Sequence, residues 1–323
     1  MTPSTVISVA VIFGPTACGK TALAAQLFSS LSVSSVFAGT AEIISADSVQ
    51  VYRGMPIGSA QPADELLDSL PHHLIGICPP ETEFSVADFV GHADTLCSSI
   101  CSRGKLPVIL GGTAFYLKHF IYGMPVTPQA DPAVRKALQE KLMRTGAAQM
   151  LAELERFDPL SAAKIHVHDE YRIIRAHEVY ITSGKPLSSF EMPARCRSGY
   201  RFCLIFADRP REQLYRRIET RVDEMFAAGL QQEIRALVEQ GCTSESPAMK
   251  AIGYREFFEL SPDNPAAAPA DAAAELIKRN TKRYAKRQQT FFRSFPGAHY
   301  ADMSDSGSIG RITRILEEFY GER

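Results

Sequence analysis

Residues Gly14-Pro15-Thr16-Ala17-Cys18-Gly19-Lys20-Thr21 fit the spacing G-x-x-x-x-G-K-T, and that spacing has a chemical use. Gly14 and Gly19 permit a tight wrap in which successive backbone N–H groups point inward at phosphate oxygens, and the dipole of a following helix adds to the field. Lys20 supplies a compact positive charge, and Thr21 a hydroxyl of the kind that ligates Mg²⁺. All eight residues are therefore candidates for gripping a diphosphate. The motif is that of nucleotide-binding and ATP-binding proteins, but it does not say which phosphate compound is held. A nucleotide hydrolase normally has a second apolar strand ending in an acid near the metal. Here the apolar run Pro107–Leu110 ends in Gly111-Gly112-Thr113, while Asp47 and Asp208 each end another run. Nucleotide hydrolysis is disfavoured on that ground.

These side chains need a scaffold. The runs Val6–Phe13, Ile43–Ala46, Pro107–Leu110 and Phe202–Ala207 are short and rich in apolar and β-branched residues, and helical segments separate them. That alternation predicts an α/β fold: a parallel P-loop sheet with helices on both faces. Between roughly Gly123 and Gly199 the strand signals fade. Asp131-Pro132 and Asp158-Pro159 each place a capping acid before a proline, and a segment starting at Asp169 runs to Gly184, so a helical insertion is expected. The division is residues 1–122 with 200–323 for the core and 123–199 for the insertion. Ser261–Pro269 reads as a loop before a last long helix from about Asp271 to Ser294, which stops at Pro296-Gly297.

Composition narrows the class. The 323 residues are 45% hydrophobic and 22% charged with net charge −1, ordinary for a soluble globular protein. A nucleic-acid partner must therefore be read from where the charges lie. Seven scattered cysteines without C-x-x-C spacing point to reduced thiols and a cytoplasmic setting, and no apolar run is long enough to span a bilayer. His166 and His168 fit a turn before a helix better than a metal site.

Taken in order, several segments resemble the tRNA dimethylallyltransferases, also called tRNA isopentenyltransferases. They are Gly14–Thr21, Ile44–Ser48 through Gln50–Met55 with Gly58, Pro71–Leu74, and Gly111–Thr113 with Tyr116. Further along come Ile165-His166 with Asp169, Arg172 and Arg175, then Ser183–Leu187, Ala251–Glu256, and Lys286–Gln288 with Arg293. Most of the chain is covered, and Asp47–Met55 is far more specific than the phosphate loop. Cys18 stands where the family usually has serine, and Phe291-Phe292 where a tryptophan is common. With no zinc-finger segment after the last basic stretch, the sequence is similar to the short, bacterial-type members.

The resemblance implies transfer of a dimethylallyl group from dimethylallyl diphosphate to the N6 amine of adenosine 37 in tRNA. It implies Asp47 as the acceptor of the amine's proton, Thr113 as a donor to the bridging oxygen, and Mg²⁺ held through Thr21. Arg217 and Arg221, one helical turn apart, are placed to close over the phosphates, Arg217 being the choice. For RNA, Asp47, Ser48, Val49 and Gln50 would read the flipped base and its neighbours. The insertion would grip the anticodon stem-loop through Arg135, Tyr171, Arg172, Ile173, Ile174 and Arg175. Lys250, Gly253, Tyr254 and Arg255 complete the expected contacts, with Lys286, Arg287, Gln288 and Arg293 near the C-terminus.

One feature of the residues themselves supports an RNA partner. Lys278, Lys282 and Lys286 form one i,i+4 row and Arg279, Arg283 and Arg287 the next, with no acid from Leu276 to Ala301. A monomer without membrane contact is expected. Two other readings stay open at this point: a P-loop prenyltransferase or kinase acting on a free nucleotide, and a non-catalytic, nucleotide-switched RNA-binding protein.

Overall fold

The computed structural model describes residues 6–33, 35–125, 127–128, 131–190, 193 and 195–321. The apolar runs form strands β1 (Ile7–Phe13), β2 (Ala41–Ala46), β3 (His72–His73), β4 (Leu106–Gly111), β5 (Tyr200–Asp208) and β6 (His299–Asp302). They lie side by side in the order β3-β2-β4-β1-β5-β6, each neighbouring pair parallel. The helices before the insertion are α1 (Lys20–Phe28), α2 (Asp64–Ser69), α3 (Val86–Ser102) and α4 (Ala114–Tyr122). The insertion holds α5 (Pro132–Thr145), α6 (Ala147–Phe157), α7 (Pro159–Ala162) and α8 (Glu170–Ser183). After β5 come α9 (Arg211–Ala227), α10 (Leu230–Glu239), α11 (Arg255–Leu260), α12 (Ala270–Phe292) and, beyond β6, α13 (Ser308–Gly321).

Alternation along each strand splits the core in two. Ala10, Ile12, Ile43, Val108, Leu110 and Ile205 pack with Leu23, Leu27 and Phe28 of α1 and with Ile312 and Leu316 of α13. On the other face Phe13 stacks on Phe206 at 5.7 Å and meets Phe292 of α12 at 5.1 Å, while Phe120 of α4 meets Tyr200 and Phe202. Both faces of the sheet are thus covered, which is what a parallel sheet requires.

The four strands read from the sequence all form, and two short edge strands join them. At β3, His73 lies 2.7 Å from the carboxylate of Glu42 on β2, which also receives two hydrogen bonds from Arg103. The polar pair, not an apolar run, ties this edge down. The helix expected from Asp271 to Ser294 is α12, but it is not the last: α13 follows and buries Ile312, Leu316 and Tyr320.

The chain forms two compact units, Met1–Ile121 with Arg197–Arg323, and Tyr122–Cys196. In the smaller one, Asp131, Asp158 and Asp169 each cap a helix as their spacing predicts, and α8 ends at Gly184 with φ 69°. Helix α6, which starts from Gly146 without a capping side chain, has no such signal. The core of this unit is built from Leu138, Met150, Leu154, Ile165, Ile173 and Ile174.

A further core in the larger unit gathers around Tyr254, whose hydroxyl donates to Glu233 at 2.8 Å and to the carbonyl of Met55. The same Glu233 carboxylate accepts from the backbone N–H groups of Ile57 and Gly58. Burial and the adjacent Glu233 charge push the Tyr254 phenol well above its ordinary pKa, so it stays a donor.

Two stability measurements follow. A Cβ on Gly58 would lie 2.5 Å from the Tyr254 ring, whereas one on the helical, exposed Gly91 meets nothing. Urea unfolding should show Gly58→Ala destabilised by about 1–3 kcal/mol and Gly91→Ala stabilised by about 0.5–1 kcal/mol. Burial raises the Glu42 pKa, but the hydrogen bonds from Arg103 and His73 outweigh it and leave the group below its ordinary 4.5. A depressed carboxylate stabilises the fold above its unfolded pKa and loses that contribution as pH falls through the folded value. The stability deficit of Glu42→Gln should therefore be full at neutral pH and shrink as the pH drops below 4.5.

Candidate active site

Register decides which backbones meet at the C-terminal rim of the sheet. Phe13 pairs with Gly111 and Phe206, and Ala46 pairs with Gly111. The next residues, Gly14, Asp47 and Gly112, therefore leave the sheet together, while β5 runs on beside Gly14 through Ala207. A Cβ at Gly14 would lie 1.9 Å from the Ala207 carbonyl oxygen, and one at Gly111 would lie 2.2 Å from that of Ala46. Only glycine fits either place. Beyond Gly14 the loop turns through Ala17 (φ 62°) and Gly19 (φ 112°), left-handed positions that curl its N–H groups to one side before α1 begins. Lys20 donates to the carbonyls of Gly14 and Pro15 at 2.8 and 2.7 Å, and Thr21 is exposed in the first turn of α1.

Three arginines surround this loop. Arg217 donates to the Ala17 carbonyl at 2.8 Å, Arg221 to the Thr16 hydroxyl at 3.3 Å, and Arg209 to the Cys18 carbonyl at 3.2 Å. Arg217 is exposed; Arg221 is the more enclosed. Burial lowers the Arg221 pKa, the negative charge of Asp47 acts against that, and Arg217 adds to the drop. Arg221 is thus the cation that feels both the phosphate loop and Asp47. Sequence reasoning missed Arg209. It directly follows the buried Asp208 at the end of β5, and Asp208 accepts from the Arg209 N–H and from Gln289. An acid-arginine pair closing an apolar strand beside a phosphate loop was the signal available.

Asp47 sits where β2 ends. Its Oδ1 accepts from the N–H groups of Val49 and Gln50 at 2.9 and 3.2 Å, which fixes the carboxylate at the head of a turn. Among the described residues Oδ2 takes no hydrogen bond. The Ser48 N–H donates to the Thr113 hydroxyl at 2.9 Å, and that hydroxyl donates to Ser48 Oγ at 3.3 Å, so the two turns are joined. The side chain of Gln50 is spent within the fold, on Ser45 and on the carbonyls of Ser59 and Ala60. Tyr284 of α12 faces the same place, its phenol pushed up to about 12 by burial and by the Asp47 charge.

Several residues expected to face RNA are turned inward. Ile173 and Ile174 belong to the core of the smaller unit, and Gly253 and Tyr254 are buried against Gly58 and Glu233. Gln288 is 4% exposed and bonds two loops of the site. Folding consumes the side chains of Ile173, Ile174, Tyr254 and Gln288, and Gly253 has none, so none of the five offers a side chain to a partner. Arg175 is committed to the buried Glu178 and the Pro128 carbonyl, and Arg135 lies 3.6 Å from the same carboxylate. Tyr171 and Arg172 are exposed on α8, although Arg172 pairs with Asp169. Lys250 pairs with Glu245, Arg255 with Glu256 and Glu259, and Arg293 lies 3.9 Å from Asp208.

The basic stripe on α12 divides in the same way. Lys278 pairs with Asp223 and Lys282 with Glu219, both acids on α9, while Arg279, Arg283, Lys286 and Arg287 are exposed. A third of the charge that looked unbalanced along the sequence is balanced in space. With Arg211 and Tyr215, the two helices line a shallow basic cleft. The Asp169 N–H donates to the His166 carbonyl at 2.8 Å, a turn that leads into α8. Among the described residues no cluster of His, Cys, Asp or Glu could hold a metal ion, and no helix is long and apolar enough to cross a membrane. Among the described residues Cys18, Cys78, Cys97, Cys196, Cys203 and Cys242 are free thiols.

Comparison with known proteins bears on the family and the fold. A family model described as "IPP transferase" matches residues 50–295, and one described as "Isopentenyl transferase" matches residues 7–75. A tRNA dimethylallyltransferase of Geobacter sulfurreducens is 39% identical over 312 residues, covering 96% of both chains, and one of Geobacillus kaustophilus is 41% identical over 96% of this chain and 95% of its own. The crystal structure of a full-length tRNA isopentenylpyrophosphate transferase from Bacillus halodurans is similar at a TM-score of 0.68 and 34% identity, covering 98% and 97% of the two chains. A eukaryotic dimethylallyltransferase caught acting on tRNA gives a TM-score of 0.78 at 25% identity, with 98% of this chain and 80% of that one covered. With a family model across most of its length and close relatives across nearly all of it, this chain belongs to the IPP transferase family.

Proposed function

We propose that this protein transfers the dimethylallyl group of dimethylallyl diphosphate to the N6 amine of adenosine 37 in the tRNA anticodon loop, releasing diphosphate. The observation that carries the reading is the placement of Asp47. Its carboxylate is held at a strand end with one oxygen bound to two backbone N–H groups, beside an arginine that also touches the phosphate loop. Family membership, and relatives named tRNA dimethylallyltransferase, support transfer of a dimethylallyl group to tRNA.

The exocyclic amine of adenine is a poor nucleophile because its lone pair is delocalised into the ring. Asp47 Oδ2 is in a position to accept a hydrogen bond from that amine as it attacks the allylic carbon. The new C–N bond forms as the C–O bond to diphosphate breaks, the electron pair leaves with the diphosphate, and the amine's proton passes to Asp47 and then to solvent. Charge grows on the departing oxygens. The loop N–H groups, Lys20, Arg217 and Arg221 meet that growth as dipoles and cations already in place, and Thr113 is the candidate donor to the bridging oxygen.

Magnesium fits the residues in one mode only. Among the described residues the donor set offers the exposed hydroxyl of Thr21 and no carboxylate cluster, so diphosphate oxygens and water would complete the shell, as Mg²⁺ commonly prefers. Bound there, the ion would neutralise part of the diphosphate charge. For tRNA, exposed Tyr171 and Arg172 of the insertion and exposed Lys286 and Arg287 of α12 are the proposed contacts, on a monomer working in the cytoplasm.

The test is incubation of the protein with labelled dimethylallyl diphosphate, Mg²⁺ and tRNA lacking the modification. Label should enter the adenosine beside the anticodon, one diphosphate being released for each; label in free AMP instead would contradict the choice of acceptor. Asp47→Asn keeps an oxygen for the Val49 and Gln50 N–H groups but loses the base, so kcat should fall about 10²–10⁴-fold with tRNA affinity retained. Arg221→Gln should lower kcat about 10²–10³-fold in the same single-turnover assay.

A further inference from the structure

The side chain of Gln288 joins two loops that no backbone hydrogen bond connects. Its Oε1 accepts from the N–H of Thr16 in the phosphate loop at 2.9 Å, and its Nε2 donates to the carbonyl of Gly112 at 2.7 Å, one residue before Thr113. One partner is a donor and the other an acceptor, so the amide has a single orientation. It is 4% exposed, and a Cβ on Gly112 would lie 2.7 Å from Nε2. The glycine is the space the amide occupies.

Helix α12 carries this side chain into the rim, and α12 is stitched to α9 by the pairs Lys278–Asp223 and Lys282–Glu219. Helix α9 in turn reaches the loop through Arg217 and Arg221. One helix pair thereby holds the loop at Thr16 and Ala17. The bond to Gln288 also takes the Thr16 N–H out of the set that can meet a phosphate, leaving that work to the residues after it.

Resting on the proposed reaction, we infer that Gln288 is a positioning residue: an amide clamp that fixes the phosphate loop against the Gly112-Thr113 turn and so sets the geometry in which the diphosphate is gripped. It touches neither substrate. Replacement by alanine leaves the Thr16 N–H and the Gly112 carbonyl without partners, and the loop loses its reference point. Replacement by glutamate keeps the shape and the acceptor, but an ionised carboxylate cannot donate to Gly112 and repels its carbonyl. Protonation restores the donor.

The full-length protein and its Gln288→Ala and Gln288→Glu variants are to be titrated with inorganic pyrophosphate in the presence of Mg²⁺ and, separately, with unmodified tRNA. Gln288→Ala should bind pyrophosphate about ten- to a hundredfold more weakly, with tRNA affinity changed less than about twofold. Gln288→Glu should be equally weak at about pH 8 and approach the wild-type value at about pH 5.5, measured as a ratio to wild type at each pH. If Gln288→Ala does not fold, as judged by its thermal transition, the glutamate pH series decides alone. Loss of tRNA affinity with pyrophosphate affinity intact would overturn the clamp and return Gln288 to the RNA surface, and so would a pH-independent ratio for Gln288→Glu. A wild-type protein that binds no pyrophosphate would overturn the clamp together with the leaving-group reading beneath it.

Discussion

Backbones crowd one rim of the sheet with no room between them, and this crowding governs everything the site can do. Gly14 passes so close to the Ala207 carbonyl, and Gly111 to that of Ala46, that any side chain at either glycine would collide with main chain. Backbone N–H groups and strand-end side chains are what remain to do chemistry. The parallel sheet brings them together, because all its strands end on the same side and the central β1 is flanked by β4 and β5. The phosphate loop, Asp47, Thr113 and Arg209 come from four different strand ends, and the register makes them neighbours.

Electrostatics divides the labour between the helices packed against that rim. Acids on α9 neutralise Lys278 and Lys282, which binds α9 to α12 and leaves Arg279, Arg283, Lys286 and Arg287 with their charge outward. Exposed ion pairs are individually weak, and although the lysines are half-buried, Asp223 and Glu219 are exposed, so the apolar packing around Ile277 and Val222 carries most of the join. The same two helices send Arg217, Arg221 and Gln288 to the loop. A surface suited to polyanions and a loop suited to diphosphate are in this way parts of one packed assembly within the larger unit.

The legible part of this fold was the part whose signal is local. Val- and Ile-rich runs mark β1, β2, β4 and β5, and Asp-Pro pairs mark the starts of α5 and α7, because burial on both faces and helix capping each act on a few consecutive residues. Strand β3 is two residues long and is held by His73 on Glu42, a contact across thirty-one positions that no periodicity reveals. Helix α6 begins at a bare glycine, and α13 lies past the point where the basic helix and Pro296-Gly297 suggested an end. In the site, the glycines, Lys20, Asp47 and Thr113 were visible because spacing constrains them. Gln288, Tyr254, Ile173 and Ile174 were placed at the RNA surface because their segments match a family that handles RNA. Which of those side chains fold inward depends on partners such as Gly112 and Glu233, distant in the sequence.

The central claim is that the loop holds a leaving group, so that the bond broken is carbon to oxygen. Dimethylallyl diphosphate carrying ¹⁸O in the bridging position tests this directly, with mass spectrometry of the products formed in the presence of tRNA. Alkyl transfer predicts that all of the heavy oxygen departs in the diphosphate. Heavy oxygen retained on the dimethylallyl fragment would mean cleavage between oxygen and phosphorus, and would contradict the account.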